Sequence, residues 1–412
     1  GVAIPSPQLA NRPYKVKLTG NAGLTVTSTQ TIGFTGLSWT SPAAGATLAT
    51  FNSGTSANNT ELDATDDVGG SGVTFSVPAN NLPSGLTLNG STGAITGQIA
   101  VGGTMSVTFR VTDNVTGTFA ERTFSIVGVL SLYPFTSPFT FTNAGVYGRT
   151  GPTLSQLQSP SSGYGTTGTT TWVGSSNFFN VTNTGIQKWT VPTTKTYRIA
   201  AYGAGSWVTN NGGRGARITG TCTLTQGEVI YILVGQTCVN QTQSSYHGGA
   251  GGSFVVRAPY NSNASIIVIA GGAGGGHTQN SVIALGNGSL NTSGNSGNYG
   301  ISGGSSGYMG TSGASNNQGA GFFNGPVQNM AFVSGGLGGG SASGYEQGGF
   351  GGGGRHGNSH GGGGGGYSGG GGSASSPYTG GGGGSYKASF FTTESQDNTI
   401  HDGPGSVTIT QL

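Results

Sequence analysis

Residues 361–372 read GGGGGGYSGGGG, and similar glycine tracts occupy residues 351–354 and 380–384. An isolated tract of this kind is typical of a flexible linker, because glycine has no Cβ to restrict the backbone. Here, however, aromatic residues interrupt the tracts at short intervals, and an apolar strand pattern returns at residues 406–410. The alternative that explains both features is a slab of left-handed three-residue helices, packed side by side and bonded laterally through backbone N–H and C=O groups. We therefore expect residues 351–384 to be ordered.

Apolar strand patterns precede the tracts. Residues 185–205 (GIQKWTVPTTKTYRIAAYGAG) predict two strands around Pro192, and residues 217–224 and 229–234 predict a hairpin around Gln226 and Gly227. The first pair offers four side chains to one apolar face: Trp189, Val191, Tyr197 and Ile199. Cys222 and Cys238 fall out of register around the second turn, so we expect two buried thiols rather than a disulfide. The chain has one helix candidate, at residues 153–158.

Several motifs in this region occur in a recognisable order. They are GPT at 151–153, GIQKWTVP at 185–192, YILVGQ at 231–236, residues 248–255, IIVIAGGAGGG at 266–276, the tracts at 348–354 and 361–370, and residues 403–409. Together they resemble the glycine-rich, TNF-like extracellular region of anaplastic lymphoma kinase and leukocyte tyrosine kinase. The resemblance implies a jelly-roll β core with an inserted slab of polyglycine helices. It does not extend to signalling, because these 412 residues contain no kinase domain.

The region before residue 131 has a different pattern, with short β-branched strands separated by turn residues. Residues 82–97 (LPSGLTLNGSTGAITG) place a Pro83–Gly85 turn before two inward-facing leucines and then reverse the chain at Gly93. This stretch resembles the Putative-Ig modules, cadherin-like sandwiches that occur in tandem in bacterial surface proteins and phage tail proteins. We therefore predict an all-β chain in three parts. These are N-terminal strands ending a preceding module (1–37), an Ig-like sandwich (38–130) and a glycine-rich TNF-like domain with polyglycine helices (131–412).

Composition excludes several function classes. The chain has 14 Lys plus Arg and 11 Asp plus Glu, a net charge of +3, and no basic block to neutralise the phosphates of a nucleic acid. Its apolar runs are far shorter than the roughly 20 residues that span a bilayer, so we expect no membrane insertion. The matches to the nucleophile motif G-x-S-x-G at 303–307 and 366–370 are expected by chance in a chain this rich in glycine and serine. His356 and His360 are four residues apart, as in a helical metal site, but the sequence between them does not form a helix. We expect no enzymatic activity.

One acidic cluster is a candidate cation site. Asp63, Asp66 and Asp67 lie close together in the sequence, and Asp113 follows at a later strand end. Carboxylates crowded at one end of a cadherin-like sandwich can ligate Ca²⁺, which takes six or more oxygen ligands. The alternative is a set of solvated turn residues. No other cofactor is expected.

The recognition surface is expected where loops leave the glycine slab, since bare glycine offers only backbone groups to a partner. Three loops are richest in side chains, at residues 298–309, 322–332 and 355–360. The candidate receptor-binding residues are Tyr299, Tyr308, Phe322, Phe323, Tyr345, Arg355 and His356. Aromatic side chains dominate binding hot spots, but the same rings could instead cap the slab or fold back on the β core.

Two functions fit these features. The first is an extracellular, non-enzymatic structural protein of a virion surface, as a fibre, tail or capsid-decorating adhesin. It would attach to a host surface protein or glycan and assemble as a homo-oligomer with other virion proteins. The low charge and the order of the domains favour this function. A Putative-Ig module joined to a polyglycine domain resembles virion proteins of phages and of large viruses, and polyglycine domains resemble the tips of phage tail fibres. The second is a secreted or cell-surface adhesion or ligand-binding module of a cellular organism.

Overall fold

The computed structural model divides the chain into two compact units, Gly1–Ser131 and Leu132–Leu412, which are described separately. It describes all residues except 1–13, 20–24, 31–36, 54–59, 66–71, 116, 183, 207–212, 239–246, 277–282, 313–316, 341–346, 357–359 and 375–378. For residues 14–19 and 25–30 only the backbone is described, and the side chains of 52, 283 and 300 are likewise left out.

The first unit consists of short strands. Their bounds are β1 Tyr14–Thr19, β2 Thr25–Gln30, β3 Ser38–Ser41, β4 Thr47–Asn52, β5 Thr60–Glu61, β6 Asp63–Thr65, β7 Val73–Ser76, β8 Leu86–Leu88, β9 Ala94–Gly97, β10 Gly103–Asp113 and β11 Phe119–Val129. Strands β1 and β2 pair with each other in a two-stranded sheet. The others form a four-stranded sheet in the order β4-β11-β10-β7, a three-stranded sheet β5-β9-β8 and the pair β3-β6.

The core of this unit is built from alternating side chains. Along β10, Val107, Phe109 and Val111 are fully buried while the residues between them are only partly covered, as period-two strands with one inward face require. The stretch predicted to reverse the chain does so between β8 and β9. There the Asn89 Oδ1 atom accepts hydrogen bonds from the backbone N–H groups of Ser91 and Thr92, at 3.0 and 3.2 Å.

The described residues of the second unit form eleven more strands and a few short helices. The strands are β12 Phe139–Phe141, β13 Phe179–Val181, β14 Gln187–Thr190, β15 Lys195–Tyr202, β16 Gly215–Leu224, β17 Val229–Leu233, β18 Ser253–Arg257, β19 Ile266–Ala270, β20 Tyr386–Lys387, β21 Thr392–His401 and β22 Ser406–Gln411. The α-helices are α1 Leu154–Gln158 and α2 Ile283–Gly286, and 3-10 turns cover Gly168–Gly174, Asn263–Ser265, Asn298–Gly300 and Phe332–Ser334. Helix α1 confirms the predicted helix, and a capping box between Thr153 and Gln156 begins it. Within the described residues, no helix has the length and hydropathy of a bilayer-spanning segment.

Two sheets face each other across the main core of the second unit. One has the order β12-β22-β15-β16-β21 and the other β13-β14-β17-β18-β19-β20. Trp189, Val191, Tyr197 and Ile199 are all buried in the core between them, as the sequence predicted. The six-stranded sheet is also covered on its outer face, where Leu233, Phe254 and Ile269 meet Phe322, Phe332 and Phe350. The two buried faces explain why β17, β18 and β19 have nearly continuous apolar sequences.

The predicted hairpin around Gln226 and Gly227 is wrong, whereas the two strands predicted around Pro192 are present. Strand β14 pairs with β17 and β15 with β16, so the turn at Pro192 carries the chain from one sheet to the other. The turn at Gln226 and Gly227 does the same between β16 and β17. The two corners are bonded to each other, because the Val191 N–H donates to the Glu228 carbonyl and the Gly227 N–H to the Val191 carbonyl. Strand alternation alone does not distinguish a hairpin from a corner between facing sheets.

The glycine tracts form an ordered body with almost no regular secondary structure. We call residues 247–252, 271–276, 317–320, 361–373 and 380–384 the glycine lattice; its described residues are buried. Successive amides along 362–367 donate in turn to three different segments, and every third amide returns to the same segment. Gly362 and Gly365 donate to His247 and Ala250, Gly363 and Gly366 to Asn317 and Ala320, and Gly364 and Tyr367 to Gly381 and Gly384. A three-residue period of lateral bonds is the pattern required of packed three-residue helices.

Space, rather than backbone freedom, makes glycine necessary in the lattice. No glycine in 361–372 or 380–384 has φ in the left-handed region. At Gly363, however, a Cβ would lie 2.2 Å from the carbonyl oxygen of Gly370 and 2.6 Å from the backbone nitrogen of Gly319. Any side chain at this position would therefore separate the backbones and break their hydrogen bonds.

Candidate functional site

The predicted recognition residues fall into exposed and buried groups. Tyr299 and Tyr308 are 66% and 53% exposed, and Phe323 is half-buried. Phe322 is fully buried. Tyr345 lies outside the described residues. Of the candidate rings described, those of Tyr299, Tyr308 and Phe323 can therefore reach a partner.

The prediction for Phe322 is wrong because this ring belongs to the core. Its centroid lies 5.2 Å from that of Phe332, with the planes 12° apart, and Phe332 stacks in turn on Phe254 at 4.8 Å. These rings cover the outer face of the six-stranded sheet. Phe322 and Phe323 are adjacent in the sequence, yet only the second reaches the surface.

Tyr308 and Phe323 form an exposed aromatic pair held by the glycine lattice and its neighbours. Their ring centroids are 6.0 Å apart. The Phe323 N–H donates to the Gly307 carbonyl at 2.9 Å, and the Gly307 N–H donates to Ser368 Oγ at 3.1 Å. Gly307 has φ +86°, and a Cβ there would lie 2.5 Å from the Phe323 ring. The tight turn therefore requires glycine and fixes the distance between the two rings.

The basic residues of the third loop are less accessible than predicted. His356 is 5% exposed and Arg355 is half-buried. Both follow Gly354, whose backbone N–H donates to the Gly363 carbonyl and so holds the start of this loop against the glycine lattice. The prediction that His356 is presented to a receptor is therefore wrong.

The acidic cluster is only partly described. Asp63 is exposed at the start of β6. Asp113 is buried at the end of β10, where its Oδ1 atom accepts the Val115 N–H at 2.7 Å. Asp66 and Asp67 lie outside the described residues. The described part of the chain holds no group of three or more His, Cys, Asp or Glu side chains arranged for a metal, so calcium binding stays a prediction.

Cys222 and Cys238 are buried thiols and not a disulfide, as predicted. Cys222 pairs with Tyr197 across β15 and β16, in the core between the two sheets. Burial raises the pKa of the Cys222 thiol to about 11, with a smaller opposing effect from Arg257. The thiol is therefore protonated near neutral pH and is not a nucleophile.

A continuous row of rings that sequence reasoning missed crosses the outer face of the six-stranded sheet. Its successive centroids are 4.4, 5.7, 5.2, 4.9 and 6.0 Å apart. We call it the aromatic row, and its members in order are Tyr231, Tyr260, Phe332, Phe322, Phe323 and Tyr308. The middle rings are core, and both ends reach solvent. Tyr231 gave no signal in the sequence because it lies within an apolar strand.

Comparison with known proteins bears on the first unit. Residues 38–128 match the family model described as Putative Ig domain. We call residues 38–128 the Ig module; they contain strands β3 to β11 except Val129, the last residue of β11. The match includes no residue of the second unit. A weak structural likeness is to the "Sialic acid binding region of Streptococcus Sanguinis SK1 adhesin bound to 3'sLn", with 19% identity and a TM-score of 0.21. It covers 43% of this chain and spans 50% of that one. A likeness this weak assigns neither a fold nor a ligand to the chain.

Proposed function

We propose that the protein is a non-enzymatic, extracellular surface protein that attaches a virion to its host through the exposed aromatic residues of the second unit. The Ig module would serve as a spacer. The observation that carries the proposal is the exposed Tyr308–Phe323 pair, which a glycine turn and the glycine lattice hold in place. Rigid aromatic side chains lose little conformational entropy on binding, so they suit a recognition surface.

We also propose that the chain has three parts, residues 1–37, 38–130 and 131–412, and that the third is a TNF-like domain. Support comes from its five- and six-stranded facing sheets and from the three-residue period of the lattice hydrogen bonds. Assembly as a homo-oligomer with other virion proteins stays a prediction, as does the choice between a host protein and a glycan as the receptor.

The location of the protein is tested by immunogold electron microscopy with an antibody raised against residues 132–412. We expect gold on virus particles in a culture of the source organism. Gold on cell envelopes in cultures without particles would contradict the virion role and support the cell-surface adhesion alternative.

The attachment role is tested by competition. Host cells incubated with purified protein should adsorb fewer particles, and the Tyr308→Ser variant should block adsorption less well than the wild type. Tyr147→Ser is a matched control, because Tyr147 is also exposed, at 44%, and lies outside the aromatic row. If Tyr308→Ser is folded and blocks adsorption as well as the wild type, the Tyr308–Phe323 pair is not the attachment site.

A further inference from the structure

The other end of the aromatic row opens into a cleft of about 560 Å³. Small-molecule sites in proteins measure roughly 300–1,000 Å³, so the cleft has the size of a ligand site. Six residues line it: Tyr231, Ala258, Pro259, Tyr260, Asn261 and Val333. Tyr231 lies on strand β17, residues 258–261 follow β18, and Val333 lies in the 3-10 turn Phe332–Ser334. The pairing of β17 with β18 brings the first two groups together.

The two tyrosines form a corner inside the cleft. Their ring centroids are 4.4 Å apart and their planes meet at 58°. Both side chains are half-buried, so each leaves part of its ring open. Tyr260 rests edge-on against the buried Phe332, with centroids 5.7 Å apart and planes at 81°. A ligand would therefore meet a surface that is already in place, which lowers the entropy lost on binding.

The loop that carries Tyr260 is also held in place. The Ala258 N–H donates to the Val229 carbonyl at 3.1 Å, and the Asn261 N–H to the Pro259 carbonyl at 3.0 Å. Further along, the Tyr367 hydroxyl donates to Asn263 Oδ1 at 3.0 Å and ties the loop to the glycine lattice. Asn261 itself is exposed at the rim of the cleft.

The chemistry of the lining limits the ligand class. The six lining residues, all described, include no charged side chain, so none of the six neutralises a phosphate. They combine aromatic and aliphatic walls with two phenol hydroxyls and one carboxamide. A ligand that matches this set has an apolar face for a ring and several hydroxyls for hydrogen bonds. A pyranose sugar has both, since its C–H groups lie on one face and its hydroxyls around the edge, and C–H groups pack on the electron-rich face of a ring.

We propose that the Tyr231–Tyr260 cleft is a saccharide-binding site. The inference rests on the proposed attachment function, for which a saccharide would be the ligand, and it adds a site separate from the Tyr308–Phe323 pair. Tyr260 would stack on a sugar ring, Tyr231 would close the second wall, and the Asn261 carboxamide would bind hydroxyls at the rim.

The site is tested with the full chain on an array of immobilised neutral and acidic oligosaccharides, followed by titration of the best-bound sugar. Acidic sugars are included because the exposed Lys188 pairs with Tyr231 across β14 and β17, on the same face of the sheet. We expect Tyr260→Ala to weaken binding about tenfold or more, through loss of the stacking surface. Asn261→Ala should weaken it severalfold, through loss of hydrogen bonds.

Two matched controls separate the cleft from general surface effects. Tyr147→Ala and Asn291→Ala remove the same side chains from exposed positions outside the cleft, and both should bind as the wild type does. Binding of no oligosaccharide, or equal binding by wild type, Tyr260→Ala and Asn261→Ala, would overturn the proposal. If the wild type adsorbs to host cells while either result holds, only the cleft assignment fails. If saccharides bind at the cleft but the protein adsorbs to no host cell, the attachment function fails and the cleft stands.

Discussion

The Ig module and the glycine lattice differ in how they bond their buried backbone N–H and C=O groups and in what fills their interiors. In the Ig module the backbone groups pair in sheets, and side chains such as Phe109 and Phe124, with ring centroids 6.0 Å apart, fill the space between the sheets. In the lattice the backbones themselves fill the interior and bond laterally in three directions. A side-chain core is therefore damaged mainly when atoms are removed, whereas a backbone core is damaged when a single atom is added.

The largest effect is expected from adding a side chain to the lattice. Gly363→Val should lower the free energy of unfolding of the second unit by at least about 4 kcal/mol, because its Cβ would lie 2.2 Å from the Gly370 carbonyl oxygen. Thermal and denaturant unfolding of the full chain measure this. Gly340→Val is the matched control, since the nearest atom to a Cβ there is Arg149 Nε at 3.7 Å. An unchanged Tm for Gly363→Val would restore the linker interpretation.

The opposite change should damage the Ig module. Val107→Ala removes two methyl groups from a fully buried position and should cost about 2 kcal/mol of the free energy of unfolding of the first unit. Val115→Ala makes the same substitution at a site that is 71% exposed and should cost close to nothing. Equal losses in the two variants would show that the module is not held together by this side-chain core.

The smallest effect concerns a half-buried histidine, His401, at the end of strand β21 in the five-stranded sheet. Burial lowers the pKa of His401, while the Pro404 carbonyl and Asp402 act in the opposite direction. The folded state thus binds the proton less tightly than the unfolded chain does. The stability contributed by the neutral ring is fully present above pH 6.5, which is about the pKa of histidine in the unfolded chain, and is lost as the pH falls below that pKa. The Tm of the second unit should therefore fall between pH 7 and pH 5, and it should fall less in His401→Gln. Identical pH profiles would contradict this assignment.

Much of the fold could be predicted from local patterns. Strands β17 and β22 each differ from the predicted bounds by one residue, and β16 begins two residues before its predicted start. Strand β21 was missed because Thr392–His401 is an edge strand with mostly exposed polar residues and no apolar alternation. The turn at Gly227 is predicted as a hairpin but is a corner between the facing sheets, because paired strands and strands of facing sheets give the same alternation.

The candidate site was less predictable than the fold. Residue type does not distinguish the core ring of Phe322 from the surface ring of Phe323, because the choice depends on the packing of Phe332, in the 3-10 turn Phe332–Ser334. The cleft has no sequence signature either. Tyr231 lies in an apolar strand and Tyr260 in a loop 29 positions later, and only the pairing of β17 with β18 brings them together.

Hydrogen exchange of the full chain, followed by mass spectrometry of its peptic fragments, tests the backbone core most directly. Each amide of residues 362–367 donates to a backbone carbonyl of another segment, and all six residues are buried. We expect fragments covering 361–373 to exchange as slowly as those covering β19, whose residues Ile266–Ala270 are fully buried. Exchange of the 361–373 fragments at the rate of an unstructured peptide, with β19 still protected, would contradict this expectation.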